Sequence, residues 1–167
     1  MRHEIGAFGT AAFSECMRYR YSLTVAWDSS KPQMMFIGLN PSTATHEKKD
    51  PTLGRVVGFA KQWGFGGVVM TNIFAWRDTD PFAMMDVDEP VGLENDEVLV
   101  GCAKSVAFIV AGWGVHGSHR GRGDQVRVML EERGGLLHHL GLTKHGYPRH
   151  PLYLRDDSKP QAWLYDE

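Results

Sequence analysis

The chain has 167 residues, 43% hydrophobic and 23% charged, which fits one soluble domain over residues 1–167 with room for a substantial core. A formal net charge of -2 and a pI near 6.4 exclude a surface coated in positive charge, as a purely electrostatic nucleic-acid binder needs, but leave room for a local basic groove. Cys16 and Cys102 are the only cysteines, too few for a four-cysteine metal site, an iron–sulfur cluster or a disulfide framework.

Along the chain, residues 1–6 lack the apolar core of a signal peptide, and no later apolar run reaches the roughly 18–20 residues that span a bilayer. The expectation is a cytoplasmic protein without membrane contact. Residues 18–27 alternate and are rich in β-branched and aromatic types, so they read as a strand. Asp28-Ser29-Ser30-Lys31-Pro32 reads as a turn, and the apolar run 34–39 is expected to pair with the first strand as a hairpin. Asp50-Pro51 reads as a helix start, with Asp50 as N-cap and proline at the first helical position. Leu53, Val56, Val57 and Ala60 follow at helical spacing, and Gly64 is a plausible stop. Residues 68–74 form a second buried run, followed by a loop with Asp78, Asp80 and Pro81 and a helix near 93–103. Residues 106–111 are a third apolar strand, ending in Gly112-Trp113-Gly114. Residues 120–133 read as a helix stopped by Gly134-Gly135, and 136–142 as a shorter strand. The alternation predicts an α/β fold of three α/β/α layers: a central, mostly parallel sheet of about four strands, plus an N-terminal antiparallel strand. No internal repeat, low-complexity tract or linker interrupts it.

The polar residues gather where these strands end. Asn40, Ser42 and Thr43 follow the run 34–39, and Asn72 lies near the end of 68–74. Trp113 and His116 follow the third strand, and Arg149-His150-Pro151 the last. In a parallel sheet the carboxyl ends share one edge, where open α/β sheets bind ligands. An asparagine to hold a water and a histidine to stabilise a leaving group would make a small hydrolytic site. Each residue also has a plainer reading. Asn40-Pro41 is good turn chemistry, Asn72 can tie down a loop, His150 can be a packed histidine bonded to backbone, and Trp113 can cap the core. The glycine-rich stretch 112–123 carries His116, His119, Arg120 and Arg122, a combination suited to phosphate. Gly121-Arg122-Gly123 lacks the ending of a P-loop, and the histidines lack recognised ligand spacing, so no metal or cofactor is expected.

Gly38-Leu39-Asn40-Pro41 resembles the first motif of the uracil-DNA glycosylase superfamily in its mismatch-specific form. The run 67–73, ending Thr71-Asn72-Ile73, is similar to that superfamily's second strand, and Arg149-His150-Pro151-Leu152 to its last motif. The chain as a whole resembles still more a bacterial and phage family catalogued as a domain of unknown function, through LNPSTA, DPT, NIFA, WG-x-HG and GLTKHGYPRHPLY over roughly residues 18–155. The glycosylase resemblance implies hydrolysis of the bond between a base, modified or not, and its sugar in DNA. It assigns Asn40 to the attacking water and His150 to the departing base. It assigns Asn72 to reading the base and the backbone after Pro41 to the base or a phosphate. The residues themselves add Pro41, Ser42, Thr43, Trp113, His116 and Tyr153 as base or substrate contacts, and Arg120, Arg122, Lys144 and Arg149 as phosphate contacts. The sequence departs from that superfamily at Ser42, where Gly or Tyr is common. It departs again at Leu152-Tyr153, where a serine that grips DNA is usual. Two alternatives stand beside it: a nucleotide, nucleoside or other small-molecule hydrolase on the same fold, and a non-catalytic binder of nucleic acid or nucleotide.

Overall fold

Antiparallel strands β1 (Arg2–Ile5), β2 (Thr10–Phe13) and β3 (Arg20–Ala26) open the chain in a computed structural model that describes residues 1–7, 9–43 and 51–165. They are followed by β4 (Gln33–Gly38), α1 (Pro51–Gln62), β5 (Gly67–Asn72), the short α2 (Pro81–Met85), α3 (Asn95–Ser105) and β6 (Phe108–Ala111). Then come α4 (Arg122–Glu131), β7 (Leu137–His139) and β8 (Gln161–Ala162), with 3-10 turns at Val115–Gly121 and Pro151–Tyr153. The fold is α/β: the eight strands make one mixed sheet in the order β1-β2-β3-β5-β4-β6-β7-β8, with four α-helices among the described residues. Its parallel part is β5-β4-β6-β7, flanked by the antiparallel β1–β3 on one side and β8 on the other.

The apolar run in β4 is continuous because this strand is covered on both faces. Met34 and Phe36 pack with Leu53, Val56, Val57, Phe59 and Ala60 of α1. Met35 and Ile37 pack with Leu99 of α3 and with Val126 and Leu130 of α4. A strand with a helix on each side has no face for polar residues, so strict alternation is lost. Burying each Leu, Val or Phe of the α1 stripe contributes roughly 1.5–3 kcal/mol relative to exposure, which is why α1 follows its 3.6-residue period so closely.

The expected hairpin between residues 18–27 and 34–39 does not form. β5 lies between them, antiparallel to β3 through Val25↔Val68 and parallel to β4 through Met35↔Val69. The physical reason is burial. β3 is partly exposed along its length and suits an outer position, whereas β4 is buried from Met34 to Gly38 and takes the centre between β5 and β6. The turn after β3 instead hands its amides to the entrance of β5: Trp27 and Asp28 N–H both donate to Gly66 O, at 2.9 and 3.0 Å.

Three strands exceed the sequence expectation: β1 and β2 extend the antiparallel edge, and β8 pairs with β7. Helix α2 was expected as loop. Asp80 Oδ1 accepts from Phe82 N at 2.9 Å with Pro81 at the first helical position, the Asp-Pro pattern that the sequence also shows at Asp50-Pro51. The cap assigned to Asp50 lies outside the described residues. Helix α4 begins at Arg122, two residues after the expected start, because Arg120 (φ 55°) and Gly121 (φ 63°) are left-handed and break the helix from the preceding turn. No helix among the described residues is long and apolar enough to cross a membrane.

Candidate functional site

Parallel register sets the carboxyl ends of β4, β5 and β6 side by side, with Gly38 opposite Asn72 and Ile37 opposite Ala111. The loops leaving those strands, with the segment after β7, enclose a cavity of about 660 Å³. Phe36, Leu39, Met70 and Trp113 supply apolar wall, and Asn40, Asn72, Asp78, His116, Arg149 and His150 are among its polar groups. Pocket and composition match the usual small-molecule site, mostly apolar with a few placed polar groups.

Two glycines make the inner wall possible. A Cβ on Gly38 would lie 2.8 Å from Asn72 Oδ1 and 3.3 Å from the Phe36 ring. A Cβ on Gly112 would lie 2.6 Å from that same ring. The absence of side chains at these strand ends seats the Phe36 ring and leaves space for the Asn72 amide.

Asn40 is held by its amide nitrogen. Nδ2 donates to Asp78 O at 2.8 Å, Pro41 O at 3.3 Å and Trp76 O at 3.4 Å. Three carbonyls around one end of an amide assign that end as NH₂. Oδ1 is therefore left to accept, and it makes no hydrogen bond among the described residues. The turn reading of Asn40-Pro41 is thus half right: the nitrogen ties the β4 and β5 loops together, and the oxygen is not needed for it.

Asn72 is 8% exposed. Its backbone carbonyl accepts from Asn95 Nδ2 at 3.0 Å, so Asn95 does the tying expected of Asn72. The Asn72 side-chain amide borders the cavity and makes no hydrogen bond among the described residues. A buried amide without protein partners is costly unless water or a ligand satisfies it.

His150 caps the turn Pro151–Tyr153, its Nδ1 accepting from Leu152 N at 3.2 Å. That bond keeps the lone pair on Nδ1, so the neutral ring carries its proton on Nε2 as a donor. The segment reaches the cavity because Gly114 N donates to Pro148 O at 2.8 Å and Arg149 N to Gly141 O at 2.9 Å. Tyr153, 80% exposed, stands at the mouth with its ring 5.8 Å from that of His150.

The remaining expected residues divide sharply. Pro41, Ser42, Trp113, His116 and Arg149 line the cavity. Trp113, only 3% exposed, is mainly a core residue packed 5.6 Å from the Trp163 ring. His116 is set by an edge contact with Phe82 at 5.1 Å. Thr43 is not part of the lining, and its hydroxyl pairs with that of Thr79 at 3.0 Å. Lys144 is exposed and away from the cavity wall.

Arg120 and Arg122 do not line the cavity, and both bond within the protein. Arg120 donates to Asp88 O at 2.8 Å and Val87 O at 3.0 Å. Arg122 is 2% exposed and donates to Ile73 O at 2.8 Å, Gln125 Oε1 at 2.9 Å and Asp96 Oδ1 at 2.5 Å. Three of the five Arg122 donors and two of the five Arg120 donors are thus spent within the protein, and Arg122 is buried as well.

Sequence reasoning missed Arg20 and Asp78, which also line the cavity. Arg20 is 4% exposed, at the start of β3. A charged residue inside an otherwise apolar strand was the available signal, since arginines are rarely buried to this degree. Asp78 was visible only as a loop residue. The clearest pKa shifts lie elsewhere: burial pushes His138 and His139 down, the nearby Arg127 charge adding to the effect at His139. Among the described residues no group of three or more His, Cys, Asp or Glu side chains is arranged to hold a metal.

No curated protein and no solved structure gives a significant match to this chain. The family comparison does give one: residues 20–152, from β3 into the His150 turn and covering the cavity lining apart from Tyr153, match the family described as Protein of unknown function (DUF1643), and the chain belongs to that family.

Proposed function

We propose that the cavity is the active site of an N-glycosidase of the uracil-DNA glycosylase type, hydrolysing the bond between a base, modified or not, and its sugar in DNA. The observation that carries this reading is a pairing of opposite capacities on one cavity. Asn40 presents an acceptor oxygen whose amide nitrogen is anchored, and His150 presents an Nε2–H donor whose other nitrogen is anchored. An acceptor orients the attacking water. A donor stabilises negative charge on the departing base, the main demand of an oxocarbenium-like transition state. Asn72 adds both an acceptor and a donor from one buried amide, which suits the paired polar edge of a pyrimidine. The glycosylase-like three-layer arrangement belongs to the same reading, with helices on both faces of the parallel strands. So do a cytoplasmic location and a role in DNA repair or modified-base processing. A nucleotide in a duplex would have to be flipped to reach such a cavity.

A second reading has its own support. Arg120 and Arg122 bond within the protein, so among the described residues Arg149 is the exposed arginine that lines the cavity. A chain of net charge -2 with one such arginine at its cavity suits a free nucleoside or nucleotide as well as a DNA strand.

The experiment is a panel of oligonucleotides carrying uracil, mismatches and hypermodified bases, with the matching nucleosides and nucleotides. Abasic sites and released bases are scored together. Base release from oligonucleotides, abolished by Asn40→Ala and by His150→Ala, supports the first reading. Release from nucleosides or nucleotides alone supports the second. Binding without release by any substrate makes the protein a binder.

A further inference from the structure

Asn40 can orient a water but cannot take its proton, because an amide is not basic near neutral pH. A hydrolase that relies on Asn40 alone leaves the proton of the attacking water without a destination in the site. Among the described residues that line the cavity, Asp78 is the only carboxylate. It is also the residue most tightly joined to Asn40. The Asp78 carbonyl accepts from Asn40 Nδ2 at 2.8 Å, and the Asp78 amide donates to Pro41 O at 3.0 Å.

The carboxylate is itself fixed at one end. Oδ1 accepts from Asp80 N at 3.0 Å. Asp78 makes no ion pair and no further side-chain hydrogen bond among the described residues, so Oδ2 keeps its lone pairs for an outside proton. This is the arrangement of a held base: one oxygen positions the group, the other is available. Asp80 provides the contrast one step along the loop. Its carboxylate caps α2 through Phe82 N at 2.9 Å, and it is absent from the cavity wall.

We propose that Asp78 is the general base of this site, accepting the proton of the water that Asn40 orients. The inference rests on the glycosidase reading and completes its proton balance. Water oxygen forms a bond to the sugar carbon as the bond from that carbon to the base nitrogen breaks. The water proton passes to Asp78 Oδ2, and the bonding electron pair leaves with the base. His150 Nε2–H hydrogen-bonds the departing base anion and keeps its own proton. Asp78 releases its proton to solvent and solvent protonates the freed base, so the net change is one water consumed per base released.

Asp78→Asn is the decisive variant, because an asparagine Oδ1 still accepts from Asp80 N while its nitrogen has no basicity. On a substrate that the wild-type protein cleaves, its turnover is expected to fall about a hundredfold or more, within the usual range for a positioned base, with substrate affinity unchanged within about threefold. Asp78→Ala, which loses the turn contact as well, is expected to regain part of its rate when formate is added, a response that a purely structural role does not produce. Asp80→Asn is expected to keep wild-type turnover. Near-wild-type turnover in Asp78→Asn, or no formate response in a folded Asp78→Ala, overturns the assignment while leaving Asn40 and His150 in place. Failure of the wild-type protein to release any base overturns the glycosidase reading, and the assignment of Asp78 with it.

Discussion

Two loops border the cavity with similar chemistry and opposite fates. The loop after β6, residues 112–121, leads through Arg120 into Arg122, and the loop after β7, residues 140–150, carries Lys144, Arg149 and His150. Both are rich in glycine and positive charge. In the first, the guanidinium groups turn onto Asp88 O, Val87 O, Ile73 O, Gln125 and Asp96. In the second, Arg149 stays exposed at the cavity rim, and His150 accepts from Leu152 N through Nδ1. The comparison teaches that a cation is a candidate for ligand contact only when the protein's own carbonyls have not claimed its donors. Composition is blind to that difference.

The comparison is broken most directly by truncating one arginine on each side. Arg122→Ala removes a buried cation with three charge-assisted hydrogen bonds and leaves Ile73 O without that donor. It is expected to cost about 3 kcal/mol of stability, read by denaturant unfolding. Arg149→Ala is expected to change stability by less than about 0.5 kcal/mol. Comparable losses at the two positions would remove the distinction between the loops.

The next largest effect belongs to His150. His150→Ala is expected to reduce base release about a hundredfold, equivalent to about 2.7 kcal/mol of transition-state stabilisation. The fold is expected to persist, since the cap lost belongs to a 3-10 turn of three residues. His150→Gln sharpens the reading, because a glutamine amide restores a donor to the site. Activity of His150→Gln above that of His150→Ala identifies donation as the function.

Arg149 gives a smaller and more specific effect. If the second loop faces a phosphate backbone, Arg149→Ala reduces the slope of log affinity against log salt by about one unit. Arg120→Ala, in the first loop, leaves that slope unchanged. Equal slopes in all three proteins, with affinity retained, favour a nucleoside substrate over a strand.

The smallest effect concerns pH at the root of the second loop. His139 lies in β7, and its Nδ1 accepts from Gly141 N at 3.0 Å. Burial foremost, then the Arg127 and His138 charges, hold its pKa below the ordinary 6.5. The folded state thus favours neutral His139, while the unfolded chain takes up the proton near 6.5. The stability this provides is fully present above that pH and is lost as pH falls below it. His139→Asn should flatten the decline of melting temperature between about pH 6.5 and 5, a difference of one proton uptake that a melting series resolves.

Much of the sheet was legible before the structure. The apolar runs became β4, β5 and β6, and the Leu53–Ala60 spacing became α1, because burial on one or two faces writes itself directly into hydrophobic period. Adjacency was another matter. Nothing in residues 18–39 reveals that β5, thirty residues later, inserts between β3 and β4, since pairing depends on which strand has the most surface to bury. Strands β1 and β8 are the exposed edges and β2 has only four residues, so their pattern is weak.

The site shows the same division. Asn40, Asn72 and His150 stood out because polar residues at the ends of apolar strands are conspicuous, and parallel pairing sets such ends along one edge. Sequence alone determined that polar groups would collect there. Only the tertiary structure decided which of them remain available to a ligand. Arg122 and Arg149 are identical in chemistry, and their difference lies in which carbonyls come within 3 Å once α4 packs against the loop after β5. Asp78 and Asp80 are two residues apart, and one lines the cavity while the other caps a helix. Donor and acceptor capacity is a property of the residue, but its availability is a property of the packed neighbourhood, where each hydrogen bond made within the protein removes one that a substrate could have used.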